Sequence, residues 1–216
     1  MWLSDFAEHV LSLDSFRGHV IVIMDTPSRI LFVQSPEDAL LMSKSSFFGR
    51  AMLLIFLGYV FYNHMVDPEY YGLMNMVNLP IHEAGHLLFA PFGTMLNILG
   101  GTLLQVFIPL LFLSVFLLKY RDVFGASFSL WWLADNLFGV AAYMSDARSR
   151  ALPLLGGDPD GHDWYNLFTM WGVLPYDTIL GGSVRFIAAV CMIFAIAWNV
   201  RLLWMAGRNI FSGVDR

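Results

Sequence analysis

The chain has 216 residues, 57% hydrophobic and 16% aromatic, with only 13% charged and a formal net charge of −5. A mean hydropathy of +0.62 lies outside the range of ordinary soluble domains and points to a polytopic membrane protein. Without a basic run, nothing suggests nucleic-acid binding or a polybasic lipid anchor, and the single Cys191 excludes both an intrachain disulfide and a cysteine metal site.

Residues 1–46 read as a small extramembrane segment. The opening MWLSDFAEHVLSLDSF lacks a positive stretch followed by an apolar core, so no secretory signal is expected there. Phe6, Val10, Leu11 and Leu13 recur at roughly helical spacing between acidic residues. Gly18 to Ser35 then reads as two β-branched strands around an Asp25-Thr-Pro-Ser turn, a hairpin. Ser35-Pro-Glu-Asp38 has the cap, proline and first-turn acids of a helix start. His9 and His19 fall in this segment and are read as ordinary surface or hairpin histidines.

Residues 47–216 read as a membrane-embedded domain. A first span is expected over Ser46–Met65, with Arg50 able to snorkel at one end. Tyr70–Met95 follows, then Leu96–Leu118, which is long enough to cross and carries Gly100-Gly101 for close packing. Lys119-Tyr-Arg-Asp122 is a charged turn. Val123–Ser145 is another crossing candidate with an Asp135-Asn136 pair near its middle, and Gly182–Trp204 is the last. The expected fold is an all-α polytopic bundle: four spans, a re-entrant or fifth helix, and the small N-terminal α/β hairpin segment. If the Tyr70–Met95 segment dips in and returns, Arg50, Lys119, Arg121 and Arg208 share one side. The positive-inside tendency then favours four spans with cytoplasmic termini, a multi-pass inner-membrane arrangement.

The chemistry concentrates in Asn78-Leu-Pro-Ile-His-Glu-Ala-Gly-His-Leu-Leu-Phe-Ala-Pro91. Its H-E-x-x-H core places His82 and His86 four residues apart, on one face of a helix. Two imidazoles so placed can share a metal ion, with Glu83 within reach of its water. From Tyr70 to Leu118 the only His, acidic or basic side chains are His82, Glu83 and His86. An unpaired carboxylate in such a run is costly, and a metal site is the compensation that fits. Pro80 suits the first turn of this helix, Asn78 its cap, and Pro91 its end.

A catalytic zinc usually takes three protein ligands and leaves one position open. His162 is the one histidine after the motif, on the glycine-rich Leu155–Trp164 loop, and is the leading third ligand. Asp163 beside it, Asp146, and the intramembrane Asp135 are the alternatives, as ligands or as groups that orient a ligand. Asp135 and Asp146 share one face of their helix with Gly139 and Ala142. The simpler reading pairs Asp135 with Arg148, Arg150 or Arg185 as structural glue.

His82-Glu-Ala-Gly-His-Leu-Leu-Phe-Ala90 resembles the H-E-x-G-H-x-x-x-A signature of site-2-protease-like membrane zinc metallopeptidases. The resemblance implies zinc on His82 and His86 and water activation by Glu83. That family's third ligand is an aspartate in a later N-P-x-x-x-L-D-G type string, which this chain does not contain. The function expected is hydrolysis of peptide bonds at or within the bilayer, with a membrane-protein or peptide substrate. A catalytically inactive metal-binding sensor or transporter is the alternative.

Overall fold

The computed structural model describes residues 44–155 and 159–211. The expected hairpin, the helix start at Ser35-Pro-Glu-Asp38, His9 and His19 lie outside the described residues.

All regular structure among the described residues is helical. Helix α1 is Lys44–Val66, α2 is Leu73–Phe89, α3 is Thr94–Val115, α4 is Val123–Ser145, α5 is Asp163–Met170 and α6 is Asp177–Phe211. A short turn, Ala90–Phe92, joins α2 to α3, and a wider π turn, Phe116–Tyr120, extends α3. Three of these stretches are long and apolar enough to cross a membrane: Lys44–Val66, Thr94–Tyr120 and Leu174–Arg208. Helix α4, expected as a fourth span, is not among them. Its buried face carries Ser127, Ser129, Asp135 and Asn136, which lower its hydropathy and are enclosed by the other helices.

Helix α2 begins earlier than the sequence predicted. Its entry is closed by Gly72 N–H donating to Asn75 Oδ1 at 2.8 Å, and Pro80 lies inside the helix, not in its first turn. A proline there removes one backbone donor, and the helix continues on either side of it. Asn78, expected as a cap, is instead a buried tertiary contact. At the other end the helix stops at Phe89, just before Pro91, and Gly93 takes a φ of 98° that a side-chain-bearing residue rarely adopts.

Side-chain contacts fix the helix directions. Arg50 lies over the ring of Phe124, and His64 bonds Asp135, so α1 and α4 run parallel. Ser127 bonds Asn199 while Gly181 packs against Ser145, which makes α6 antiparallel to α4. Phe112 meets Trp132, and Ile98 and Leu99 pack against the cluster that holds Val140 and Met144, so α3 is antiparallel to α4 as well. Going from α1 to α3 the chain therefore reverses once, although α2 lies between them.

The main core joins α1, α4 and α6 through Leu57, Val60, Trp131, Phe138, Met192 and small residues such as Ala134 and Ala188. A second cluster (Val140, Met144, Ala147, Trp164, Leu167 and Phe168) seats α5 against the C-terminal end of α4. Small residues at such crossings let helices approach until van der Waals packing holds them where lipid supplies no hydrophobic drive. This second cluster positions the site.

Candidate metal centre

Helices α2 and α3 meet at glycines. A Cβ on Gly85 would collide with the backbone of Gly100 and Gly101, and one on Gly100 would lie 2.7 Å from Gly85 O. With no side chains in the way, the two histidines of α2 reach α3. His82 Nδ1 pairs with Gln105 Oε1 at 2.8 Å, and His86 Nδ1 donates to Asn97 O, also at 2.8 Å. Asn97 returns a hydrogen bond from Nδ2 to His86 O at 2.8 Å. Asn97, Gly101 and Gln105 are successive positions four apart, one face of α3.

A backbone carbonyl only accepts, so His86 carries its proton on Nδ1. Gln105 Oε1 imposes the same tautomer on His82. Both Nε2 lone pairs are thereby turned toward a common point, the arrangement that orients metal-ligating histidines. Asp163 Oδ2 faces that point, 2.9 Å from His82 Nε2 and 3.3 Å from His86 Nε2. The three ligand-type atoms lie within 4.8 Å of one another.

Three acceptors crowded together need a shared positive charge: added protons or a cation. Burial raises the Asp163 carboxyl, yet its contacts with His82 and His86 outweigh it and hold the group below the usual carboxylate range. The site therefore keeps its anion and draws a cation to it. Gly101 adds an independent sign of fit, since a Cβ there would sit 2.5 Å from His82 Nε2 and 2.7 Å from His86 Nε2. The space in front of the two nitrogens exists because position 101 has no side chain. Two imidazoles and one carboxylate on an open position are a donor set that suits zinc.

Glu83 is half-buried and lines the same cleft, a space of about 770 Å³ bounded also by Tyr70, Tyr71, Leu79, Ile98, Val140 and Tyr143. Leu152 to Leu155 form another wall. A carboxylate and a ligand cluster thus open onto one hollow whose walls are part apolar and part polar.

The other sequence candidates lie elsewhere. His162, favoured on sequence as third ligand, is fully buried, and its Nδ1 accepts from Tyr165 N–H at 3.1 Å as the N-cap of α5. That leaves the proton on Nε2, which lies 3.4 Å from Asp146 Oδ2. Burial lowers the pKa of His162, although Asp146 opposes the shift, so the ring stays neutral. Capping is why Asp163, the next residue, reaches the histidines and His162 does not: the helix start turns the two side chains apart.

Asp146 is not in the cluster either. Burial raises its carboxyl, but Ser149 Oγ and the Leu152 and Ala151 N–H groups donate to it and hold it below its ordinary value. It ties down the loop after α4. Asp135 pairs with His64 Nε2 at 3.0 Å, not with an arginine, and accepts from Asn78 Nδ2 at 3.2 Å. Trp132 Nε1 donates to Asn78 Oδ1 at 2.8 Å, so this network pins α2 to α4 one turn before His82. The three arginines weighed as its partners are engaged differently: Arg148 with Asp177, Arg150 with Asp160, and Arg185 with the carbonyls of His64 and Pro68.

Sequence reasoning missed Gln105 and the carbonyl of Asn97, and read Gly101 for close packing alone. The four-residue spacing of Asn97, Gly101 and Gln105, set in an apolar helix, was the available signal. No family model, no curated protein and no solved structure matches the chain.

Proposed function

We propose that this protein is an integral-membrane zinc metallopeptidase that hydrolyses peptide bonds at or within the bilayer. One observation carries the reading. The Nε2 atoms of His82 and His86 converge with Asp163 Oδ2, and the motif's own Glu83 lines the cleft beside them. The nine-residue likeness to site-2-protease-like enzymes agrees with it, and Asp163 takes the role of that family's later aspartate outside any matching string.

His82, His86 and Asp163 would hold the ion, which when bound supplies a Lewis acid that polarises a carbonyl and acidifies water. Gln105 and Asn97 O orient the imidazoles. Glu83 acts as general base: it takes a proton from the attacking water as the new C–O bond forms. It then gives that proton to the amine nitrogen as the C–N bond breaks. The apolar walls at Leu79, Ile98, Val140 and Leu152 favour a substrate segment of apolar side chains and limit access of bulk water.

We further infer four spans, α1, α3, α4 and α6, with α2 re-entrant. The alternating helix directions support this, and α2, at 17 residues or about 26 Å of rise, falls short of a hydrocarbon core of about 30 Å. Lys44, Arg50, Lys119, Arg121, Arg201 and Arg208 then cluster at one end of the bundle, against Arg148, Arg150 and Arg185 toward the other. The positive-inside tendency makes the first end cytoplasmic, with both termini. The metal cluster lies toward the opposite side, near the C-terminal end of α4.

The test uses Glu83→Gln protein in vesicles with a co-reconstituted single-span substrate. The variant should keep its metal and produce no cleavage fragment by mass spectrometry. Cleavage at the parental rate would remove Glu83 from the mechanism. Full metal in a parent that cleaves no member of a panel of spans would favour a metal-binding protein without peptidase activity.

A further inference from the structure

The last turn of α4 places a phenol at the same cleft, and the mechanism above gives it no work. Tyr143 packs its ring against His162, with centroids 4.2 Å apart, and stands at 6.3 Å from the ring of His82. Its oxygen accepts a hydrogen bond from the backbone N–H of Asp163 at 3.0 Å. A phenol that accepts still has its own O–H to donate, and no acceptor for that proton occurs among the described hydrogen bonds. Tyr143 also lines the cleft with Glu83, His82, His86 and Asp163.

The position is constrained from two sides: the α5 amide fixes the oxygen, and the buried His162 ring supports one face. A rigid, pre-placed donor in a partly enclosed hollow is worth most where negative charge develops. Peptide hydrolysis develops such charge. As the water oxygen bonds to the carbonyl carbon, the C=O π pair moves onto the carbonyl oxygen, and Glu83 takes the water's proton on the other side. Tyr70, Tyr71 and Thr102 also line the cleft, and among the described hydrogen bonds Tyr143 is the one of these hydroxyls held by a backbone amide of α5.

We propose that Tyr143 is a catalytic residue that donates its phenolic proton, as a hydrogen bond, to the carbonyl oxygen of the substrate as it becomes an oxyanion. The proton is shared and not transferred, so Tyr143 is unchanged at the end of the cycle. The inference rests on the metallopeptidase reading and adds to it the group that stabilises the transition state alongside the ion.

The experiment compares two probes on the full-length, cobalt-substituted protein in detergent, read through the cobalt absorption bands. One is a blocked phosphinic dipeptide analogue with leucine on each side, whose tetrahedral oxygens imitate the developing oxyanion. The other is hexanethiol, which binds through sulfur alone and offers no oxygen. Tyr143→Phe should keep parental cobalt affinity and parental hexanethiol affinity, and should bind the phosphinate roughly 10- to 100-fold more weakly, the effect of one hydrogen bond to a charged group. Equal loss for both probes would make Tyr143 a shaping residue only, and no loss for either would remove it from the site. A parent that binds cobalt and neither probe would also overturn the proposal. A parent without a cobalt spectrum would instead sink the metal reading itself, and the Tyr143 proposal with it.

Discussion

Adding one methyl group to Gly101 should empty the metal site without unfolding the bundle. The new Cβ would stand 2.5 Å from His82 Nε2 and 2.7 Å from His86 Nε2, where ordinary contact begins at 3.4 Å. Relieving both contacts requires the rings to retreat by about 0.9 Å and 0.7 Å, if α3 itself does not move. A zinc ligand tolerates about 0.2 Å. Perturbing only the groups behind a ligand costs about 10- to 100-fold in metal affinity, so displacing two ligands should cost at least the upper end of that range. The backbone works the other way, since alanine is favoured over glycine inside a helix by up to about 1 kcal/mol. Metal affinity would be read by competition with a chromophoric chelator, and helix content by circular dichroism. Gly182→Ala on α6 is the control, because a Cβ there meets nothing within 4 Å. Parental affinity in Gly101→Ala protein would refute the geometry: it would mean that the ion does not sit in front of the two Nε2 atoms.

Other expectations follow from the same contacts. His162→Ala removes the cap of α5, which accepts from Tyr165 N–H at 3.1 Å, and should lower stability by about 1 kcal/mol while the protein keeps its zinc; thermal unfolding and elemental analysis together check this. His64→Ala leaves Asp135 buried without one of its hydrogen-bond partners, so unfolding in a denaturing-detergent titration should show a loss of about 1–3 kcal/mol. The carboxyl of Asp146 is depressed below its ordinary 3.8, so its contribution is fully present above that pH and disappears as pH falls through the lower folded value. Asp146→Asn should therefore lower stability near neutrality and give a shallower acid limb of stability against pH; an unaltered limb would contradict this.

The chain's broad form was readable because hydropathy and helix length act locally. The limits of α1, α3 and α4 came within a few residues of the expectation, and Asp122 caps α4 where the charged turn was predicted, donated to by Phe124 and Gly125 N–H at 3.0 Å. The four-residue spacing of His82 and His86 carried its meaning in the sequence, since it depends on one helix. The partners of those histidines did not. Gln105 and Asn97 belong to the next helix, and their register against α2 is set by the glycine contact at positions 85, 100 and 101. Asp163 and His162 differed only in which one a helix start would turn toward the pair. A histidine at an N-cap is less familiar than an aspartate there, so residue type favoured the wrong neighbour as the group facing the pair. Pro80 misplaced the start of α2 because proline is most often a first-turn residue, and only the buried Asn78 network reveals why the helix extends back past it. His64 was invisible as the partner of Asp135 because the two are 71 positions apart.

The central claim is that His82, His86 and Asp163 hold one zinc ion. Elemental analysis of full-length protein, purified in detergent after growth with zinc, tests it most directly when the parent is run beside His82→Ala, His86→Ala, Asp163→Ala and His162→Ala. About one zinc per chain is expected in the parent and in His162→Ala, with the metal lost in the other three variants at unchanged helix content. A parent without metal, or an Asp163→Ala protein that keeps its zinc while His162→Ala loses it, would contradict the account.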